Sequence, residues 1–226
     1  MDIAKKVTKL REISGLTQEE VAQKLDISRQ RWIMVEKGDR DLSTDELETL
    51  ASIFGISVAD FFEETRNNEK FKQMYFYFLR HCANNYGKIP KTKLAKLLYL
   101  ADFRNFFEEL EPMSGVKYVR REYGPVADIF FEMTEDLYDT GKIDILPYKD
   151  SLLIKPTSND IGEDLLSDSE KKRMSEICAL WRGKRTKEIV NFTHEQKPWK
   201  MCRDGEYIPY SLIIQEDPDH VYQPAS

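Results

Sequence analysis

The first forty residues carry start and stop signals for helices that are each too short to be stable alone. Thr17 followed three residues later by Glu20 is a capping box, in which each side chain satisfies a backbone amide, so we expect a helix to start near Thr17. Ser28 predicts the cap of another helix, Arg29–Glu36, and Gly38 predicts its end. Short helices of this kind must share an apolar core, so the segment predicts a compact helical domain.

Apolar residues repeat at helical spacing through this segment. A fourth helix opens at Ser43 or Thr44, and the turn Gly55-Ile56-Ser57 leads into a fifth over Val58–Phe61. The residues expected to face inward are Ile3, Val7, Leu10, Val21, Ala22, Leu25, Leu47, Leu50, Ala51 and Phe54. A polar run, Glu63–Asn68, then ends the pattern and predicts a boundary, with a first domain over residues 1–66.

The second predicted domain, residues 69–217, mixes helices and strands. Three helical faces are expected, carried by Phe71, Met74, Tyr75, Phe78, Leu79 and Cys82, by Leu94, Leu97, Leu98 and Ala101, and by Val126, Ile129, Phe130, Met133 and Leu137. Val116–Tyr118 predicts a strand, and Ile143–Ile145 with Leu152–Ile154 predicts a hairpin. The fold class is therefore mainly α, and α+β over the whole chain.

The end of the second domain has its own signals. Ser167 and Glu170 form another capping box, which opens a helix, and Arg185–His194 predicts a final short helix. Residues 218–226 are expected to be a flexible tail.

The 226 residues carry a formal net charge of −6, which argues against a protein that coats nucleic acid through bulk positive charge. Residues 28–40 differ, because they hold Arg29, Arg31, Lys37 and Arg40 against only Glu36 and Asp39. The N-terminus lacks the apolar core of a signal peptide, and no stretch approaches the roughly 18 apolar residues of a membrane span, so we expect a cytoplasmic protein with no membrane partner. Three scattered cysteines suggest buried thiols.

The first domain resembles the Xre/Cro-type helix-turn-helix family over about residues 3–62. The resemblance is carried by Leu16–Ala22, Leu25–Ser28, Trp32, Val35–Glu36 and Gly38. It implies a five-helix, lambda-repressor-like domain that binds operator DNA, usually as a homodimer, with the second helix of the motif in the major groove. Trp32 is larger than the residue usual at its position, and Ile33 and Met34 are apolar for a DNA-facing row, so these two could contact thymine methyl groups or another protein.

Trp32 and Val35 fall on the inward face of the third helix, which leaves its other side for DNA. The DNA-binding candidates are Ser28, Arg29, Gln30, Arg31, Met34 and Lys37, together with Gln18. Gln30 can pair with adenine, and Arg29 or Arg31 with guanine. Gln18 matches the family position that holds a backbone phosphate, and Lys37 and Arg40 could add phosphate contacts.

The second domain looks like the SocA-like antitoxin domain, also called the Panacea domain, over about residues 70–215. The resemblance is carried by Leu97–Phe103, Tyr118–Val126, Trp199 and Tyr207–Tyr210. It implies that the domain neutralises a cognate toxin by binding it, and one relative instead delivers its toxin to a protease. The tentative toxin-binding residues are Phe106, Phe107, Arg121, Tyr123, Tyr138, Trp199 and Arg203.

The motif residues of this domain also have purely structural interpretations. Gly124-Pro125 predicts a turn followed by a helix start, at which Tyr123 would pack. Asp102 could pair with Arg120, Arg121 or the Tyr118 hydroxyl.

We expect no catalytic activity, metal site or cofactor. His81 and Cys82 are adjacent on a helix and point about 100° apart, and the chain lacks a zinc motif and a glycine-rich phosphate loop. The leading hypothesis is a type II antitoxin that represses its own operon. The alternative is a phage-type repressor whose second domain senses a ligand or forms dimers.

Overall fold

The computed structural model describes residues 3–55, 58, 61, 67–149, 151–158 and 160–222. By its internal contacts the chain divides into two compact units, Met1–Glu64 and Thr65–Ser226. Among the described residues, no helix combines the length and the apolar character needed to cross a bilayer.

Within its described residues the first unit has the helices α1 (Ile3–Ile13), α2 (Gln18–Lys24), α3 (Arg29–Lys37) and α4 (Thr44–Phe54). Their predicted starts are confirmed: Thr17 and Ser43 cap α2 and α4 with complete capping boxes, and the Ser28 hydroxyl accepts from the Arg31 amide. Gly38 ends α3 in the left-handed conformation, as its position predicted.

A core of side chains from all four helices holds this unit together. Trp32 and Val7 are fully enclosed in it, and Val35 and Leu50 lie beside them. Of the fifth helix expected over Val58–Phe61, only the two end residues are described, and Phe61 is buried in the same core. Most of the predicted polar boundary, Glu63–Arg66, lies outside the described residues. Ile56 and Ser57, two residues of the expected turn Gly55-Ile56-Ser57, also lie outside them.

The second unit begins, among the described residues, with Asn67, whose side chain caps the next helix. Its helices are α5 (Asn68–His81), α6 (Lys91–Glu109), α7 (Phe130–Asp139), α8 (Asp168–Trp181), α9 (Thr186–Glu195), α10 (Lys197–Lys200) and α11 (Pro218–Tyr222), with a 3-10 helix at Tyr210–Gln215. The strands are β1 (Ile89–Pro90), β2 (Tyr118–Arg121), β3 (Gly124–Ala127), β4 (Ile143–Tyr148), β5 (Ser151–Pro156) and β6 (Tyr207–Ile208). The α+β class is confirmed.

The strands form two antiparallel sheets rather than one. One has the order β1-β5-β4 and contains the predicted hairpin, in which Ile145 lies opposite Ile154. The other has the order β3-β2-β6. Helix α6 packs against both β3 and the helices α5, α8 and α9, so its side chains are buried almost all round, including those of Lys93, Lys96, Asp102 and Asn105.

Several sequence predictions for this unit are wrong in detail. Gly124-Pro125 does not start a helix: it begins strand β3, which also contains Val126, and the helix starts only at Phe130. Pairing with β2 decides this, because Arg120 lies opposite Pro125 and Val119 opposite Val126. Strand β2 itself starts at Tyr118, two residues later than predicted.

The C-terminal end is more ordered than its sequence suggests. The helix Thr186–Glu195 is not the last one, since α10, a 3-10 helix and α11 follow it. The tail predicted from Pro218 instead opens with helix α11, in which Val221 is buried against the core. Residues 223–226, the rest of that predicted tail, lie outside the described residues.

Candidate DNA- and protein-binding surfaces

Helices α2 and α3 pack against each other across a tight turn. Leu25 ends α2, Asp26 adopts a left-handed backbone with φ of 54°, and the Ile27 amide then donates to Ala22 over 3.0 Å. Aspartate tolerates this conformation better than most residues, so the turn needs no glycine. The arrangement presents one face of α3 away from the core.

That outward face carries the residues predicted to read DNA. Trp32 and Val35 are buried, whereas the other side is open to solvent. The exposed residues there are Ser28, Arg29, Gln30, Arg31, Met34 and Lys37. Met34 is 45% exposed and Ile33 is half-buried at the edge of the face. Arg40, a further predicted phosphate contact, instead donates to Glu46 over 2.8 Å.

The carboxylate of Glu36 joins helices α1, α2 and α3 through hydrogen bonds behind this face. It accepts hydrogen bonds from Arg11 Nε at 2.6 Å, from Trp32 Nε1 at 3.0 Å and from Gln18 Nε2 at 2.7 Å. Its side chain is only 7% exposed, so these bonds act with little competition from water. Sequence reasoning missed this role, because nothing local to Glu36 indicates its partners.

Gln18, which is predicted to contact a phosphate, also joins Glu36 to the exposed face of α3. Its amide nitrogen donates to Glu36, and its amide oxygen accepts from Arg29 Nη2 at 3.4 Å. The side chain links the buried network to the exposed face of α3. It thus restrains Arg29, one of the residues predicted to reach bases.

In the second unit, Gly124 permits the close approach of β3 to helix α6. Its φ is +94°, and a Cβ there would lie 2.7 Å from Lys96 Cε and 3.0 Å from Thr193 Oγ1. The fully buried Lys96 runs beneath the strand, and its Nζ donates to the Pro125 carbonyl over 2.8 Å. Burial lowers the pKa of Lys96 to about 7. The Gly-Pro pair therefore serves packing.

Asp102 is fully buried and accepts three hydrogen bonds. They come from the Ser114 amide and hydroxyl, both at 2.6 Å, and from the Tyr118 hydroxyl at 2.8 Å. Of the three partners predicted, the Tyr118 hydroxyl is the one found. Burial raises the pKa of Asp102 to about 6, although the hydrogen bonds oppose that shift. The contact fixes α6 against β2.

The tentative toxin-binding residues fall into three groups. Phe106 and Phe107 are half-buried against the core, where they contact the rings of Tyr210 and Tyr222, so they are poor anchors for a partner. Tyr138 forms the second group: it is 51% exposed and lies on α7, the helix that packs on β4.

The third group lies around the β2–β3 turn. Tyr123 is 65% exposed at this turn and does not pack as predicted. Arg121 and Arg203 are also exposed. Trp199 joins the group because its Nε1 donates to the Arg121 carbonyl over 3.3 Å. The Arg120 guanidinium stacks on the same indole, 4.0 Å from the ring centroid. Sequence reasoning did not select Arg120 for binding.

Of the two adjacent side chains considered for chemistry, His81 is exposed and Cys82 lies in the core. Cys82 and Cys178 are buried, and Cys202 is half-buried. The hydrogen bond with Cys82 and burial raise the pKa of the Cys178 thiol, which makes it a weak nucleophile. Across the described ranges, no three histidine, cysteine or acidic side chains come together as a metal site.

Comparison with known proteins places a family on each unit. Residues 7–61 match a helix-turn-helix family model, and residues 94–200 match that of the antitoxin SocA-like Panacea domain. An HTH-type transcriptional regulator of Methanocaldococcus jannaschii, itself uncharacterised, is 42% identical over 52 residues, which are 23% of this chain and 79% of the relative. No solved structure matches the chain. The chain belongs to the helix-turn-helix family and joins that domain to a SocA-like Panacea domain.

Proposed function

We propose that this chain is the antitoxin of a type II toxin–antitoxin system, acting in the cytoplasm. In this proposal the second unit neutralises a toxin by binding it, and the first unit binds operator DNA and represses the shared operon. The observation that carries the proposal is the match of residues 94–200 to the SocA-like Panacea domain in a chain that also has a helix-turn-helix domain. Neither unit catalyses a reaction.

Operator recognition is assigned to the exposed face of α3. Arg29, Gln30 and Arg31 lie in its first turn, where a helix that enters the major groove by its N-terminus meets base edges. Ser28 and Met34 flank them, and Lys37 is assigned to a phosphate. A homodimer would place two such helices about one turn of DNA apart, on paired half-sites.

A binding assay with labelled DNA from upstream of the gene tests the first half. Fluorescence anisotropy should show tight binding by wild type and a loss of about 10-fold or more with the double variant Arg29→Ala/Gln30→Ala. The double variant Glu48→Gln/Ser52→Ala, on the exposed side of α4, is the matched control and should bind normally. Equal binding by all three proteins would contradict the assignment of α3.

Growth assays test the second half. The open reading frame beside the gene is expressed alone, and then together with the full chain. We expect arrest in the first case and rescue in the second. Arg29→Ala/Gln30→Ala should also rescue, because neutralisation does not require DNA binding. Absence of rescue, and of co-purification, would contradict the toxin-binding proposal.

The second candidate is a plain transcriptional repressor. It is favoured by the relative from Methanocaldococcus jannaschii, which is named as a transcriptional regulator and matches 52 residues of this chain. In that case the second unit would sense a ligand or form dimers. Operator binding without any effect on the neighbouring gene product would support it.

A further inference from the structure

The Arg120 guanidinium is stacked on an aromatic ring. Its guanidinium carbon lies 4.0 Å from the centroid of the Trp199 ring, and the His194 ring lies parallel to the same indole, with centroids 4.1 Å apart. Two groups this close to one ring cannot share a face, so Trp199 is sandwiched between them. Arg120 Nε has no hydrogen-bond partner in the described part of the chain.

The backbone of Arg120 pairs with a second segment of the chain. Its amide donates to the Glu206 carbonyl over 2.9 Å, and its carbonyl accepts from Gly205 over 3.0 Å, which brings residues 203–207 alongside β2. Tyr207, 56% exposed, lies opposite Val119 in the sheet. We call the following set the Arg120 surface: Arg120, Arg121, Tyr123, Trp199, Arg203 and Tyr207.

The arginines of this surface differ from others in the same unit. Arg80, Arg104 and Arg173 each form an ion pair with a glutamate. Arg120, Arg121 and Arg203 make no ion pair with any described residue. Three guanidinium groups that form no ion pair with a described residue therefore lie on β2 and on the segment 203–207 beside it, near the exposed Tyr123 and Tyr207.

A planar guanidinium that is already positioned is suited to a carboxylate, which it binds through two parallel hydrogen bonds. Arginine, tyrosine and tryptophan are also the residues that dominate the energy of protein interfaces. We propose that the Arg120 surface is the docking site for an acidic segment of a partner protein, with Arg120 as its central carboxylate anchor. This inference rests on the proposed function, in which the second unit binds a protein.

Charge in the adjoining loops favours a protein over nucleic acid. Glu122, Asp204 and Glu206 are exposed beside the arginines. A continuous phosphate backbone would meet these carboxylates and be repelled, whereas a peptide can place its acidic side chains selectively and pack apolar ones on Tyr123 and Tyr207.

The test uses the full chain and two probes. One probe is the product of the adjacent reading frame, scored by growth rescue and co-purification. The other is a dye-labelled peptide of alternating glutamate and leucine, with a glutamine and leucine peptide as its uncharged match. The test variants are Arg120→Gln and Arg121→Glu/Arg203→Glu. The control is Lys172→Glu/Lys187→Glu, which makes the same charge change as Arg121→Glu/Arg203→Glu but at exposed positions on α8 and α9.

We expect wild type and control to rescue growth and to bind the acidic peptide in preference to its uncharged match. Both test variants should weaken peptide binding about 10-fold or more and abolish rescue, with circular dichroism unchanged. Rescue by wild type and by both test variants alike would overturn the inference while leaving the proposed function standing.

The remaining outcomes are also decisive. If wild type does not rescue but its peptide binding is lost in the test variants, the toxin proposal fails and the acidic docking site stands. If wild type does not prefer the acidic peptide, or the variants bind it equally, the inference fails. Displacement of the peptide by a non-operator DNA duplex from wild type and from Arg29→Ala/Gln30→Ala alike would assign the surface to nucleic acid instead.

Discussion

Lys96 Nζ donates a hydrogen bond to the Pro125 carbonyl over 2.8 Å, and no part of the lysine side chain reaches solvent. The bond joins the N-terminal half of α6 to strand β3 in the Tyr-Gly-Pro-Val segment. A lysine buried in this way makes the stability of the second unit sensitive to pH.

The first prediction concerns the pH dependence caused by Lys96. Its pKa is about 7 when folded, against about 10.4 for an unfolded lysine, so the unfolded chain binds more protons between these values. The destabilising effect of burial is complete below pH 7 and declines as pH rises toward 10. The free energy of unfolding of wild type should therefore rise with pH, and Lys96 should account for at most about 1.4 kcal/mol of that rise per pH unit. Lys96→Met should remove this part of the pH dependence. Urea unfolding at several pH values between 7 and 9.5 measures it.

The comparison of slopes is more informative than absolute stability, because Lys96→Met also removes the bond to Pro125. Lys172→Met, at an exposed position, is the control and should keep the wild-type slope. An unchanged slope in Lys96→Met would show that Lys96 is not buried in solution.

The second prediction concerns Gly124. Gly124→Ala must place a Cβ 2.7 Å from Lys96 Cε, so we expect a loss of about 2 kcal/mol or more in the free energy of unfolding. Gly141→Ala is the matched control: Gly141 also has a positive φ, but nothing lies within 4 Å of its Cβ position. Its cost should be about 1 kcal/mol. Similar losses in thermal or urea unfolding of both variants would contradict the packing argument.

The third prediction concerns Asp102. Asp102→Ala leaves the buried Ser114 amide without its acceptor and disturbs two hydroxyl groups, so we expect a loss of about 2–4 kcal/mol. Asp102→Asn keeps one acceptor and should cost less. The raised pKa of about 6 gives a second readout, since the folded carboxyl holds its proton more tightly than the unfolded one.

The protonated Asp102 carboxyl contributes its full stabilisation of the fold below about pH 4, and this stabilisation is lost as pH rises through 6. Urea unfolding between pH 4 and 7 should therefore show a decline in wild type that Asp102→Asn lacks. A wild-type decline that persists in Asp102→Asn would assign it to other groups.

The fourth prediction concerns Glu36. Glu36→Ala removes the acceptor shared by Arg11, Trp32 and Gln18, and should destabilise the first unit by about 2–3 kcal/mol, since both members of the Arg11 pair are largely shielded from water. Thermal unfolding of the variant and of wild type measures this loss. Glu48→Ala, an exposed glutamate on α4, should change it little.

The same variant should also weaken operator binding, because Gln18 loses the contact through which it restrains Arg29. Adding Arg11→Met to Glu36→Ala should recover part of the stability, since the shielded cation that lost its closest carboxylate is then gone, but it should not recover the DNA affinity. Full recovery of both would contradict the role assigned to Gln18.

The sequence by itself determined the helix starts at Thr17 and Ser167, because a capping hydroxyl and a glutamate three residues later act within one turn of chain. The Ser28 hydroxyl was sufficient to mark the start of α3, and the start of α4 was placed at Ser43 or Thr44, of which Ser43 is the cap. Residue spacing likewise placed Trp32 and Val35 in the core. Local chemistry was sufficient for these features.

The tertiary structure decided what depends on residues that are distant in the chain. Pairing with β2 made Gly124–Ala127 a strand, although proline after glycine favours a helix start locally. Packing against α6 buried Lys96 under Gly124, and packing of α10 brought Trp199 onto Arg120. No local pattern encodes such contacts, since each energy arises only when separate elements meet. For the same reason the unpaired arginines around Trp199 became recognisable as a surface only in the folded unit.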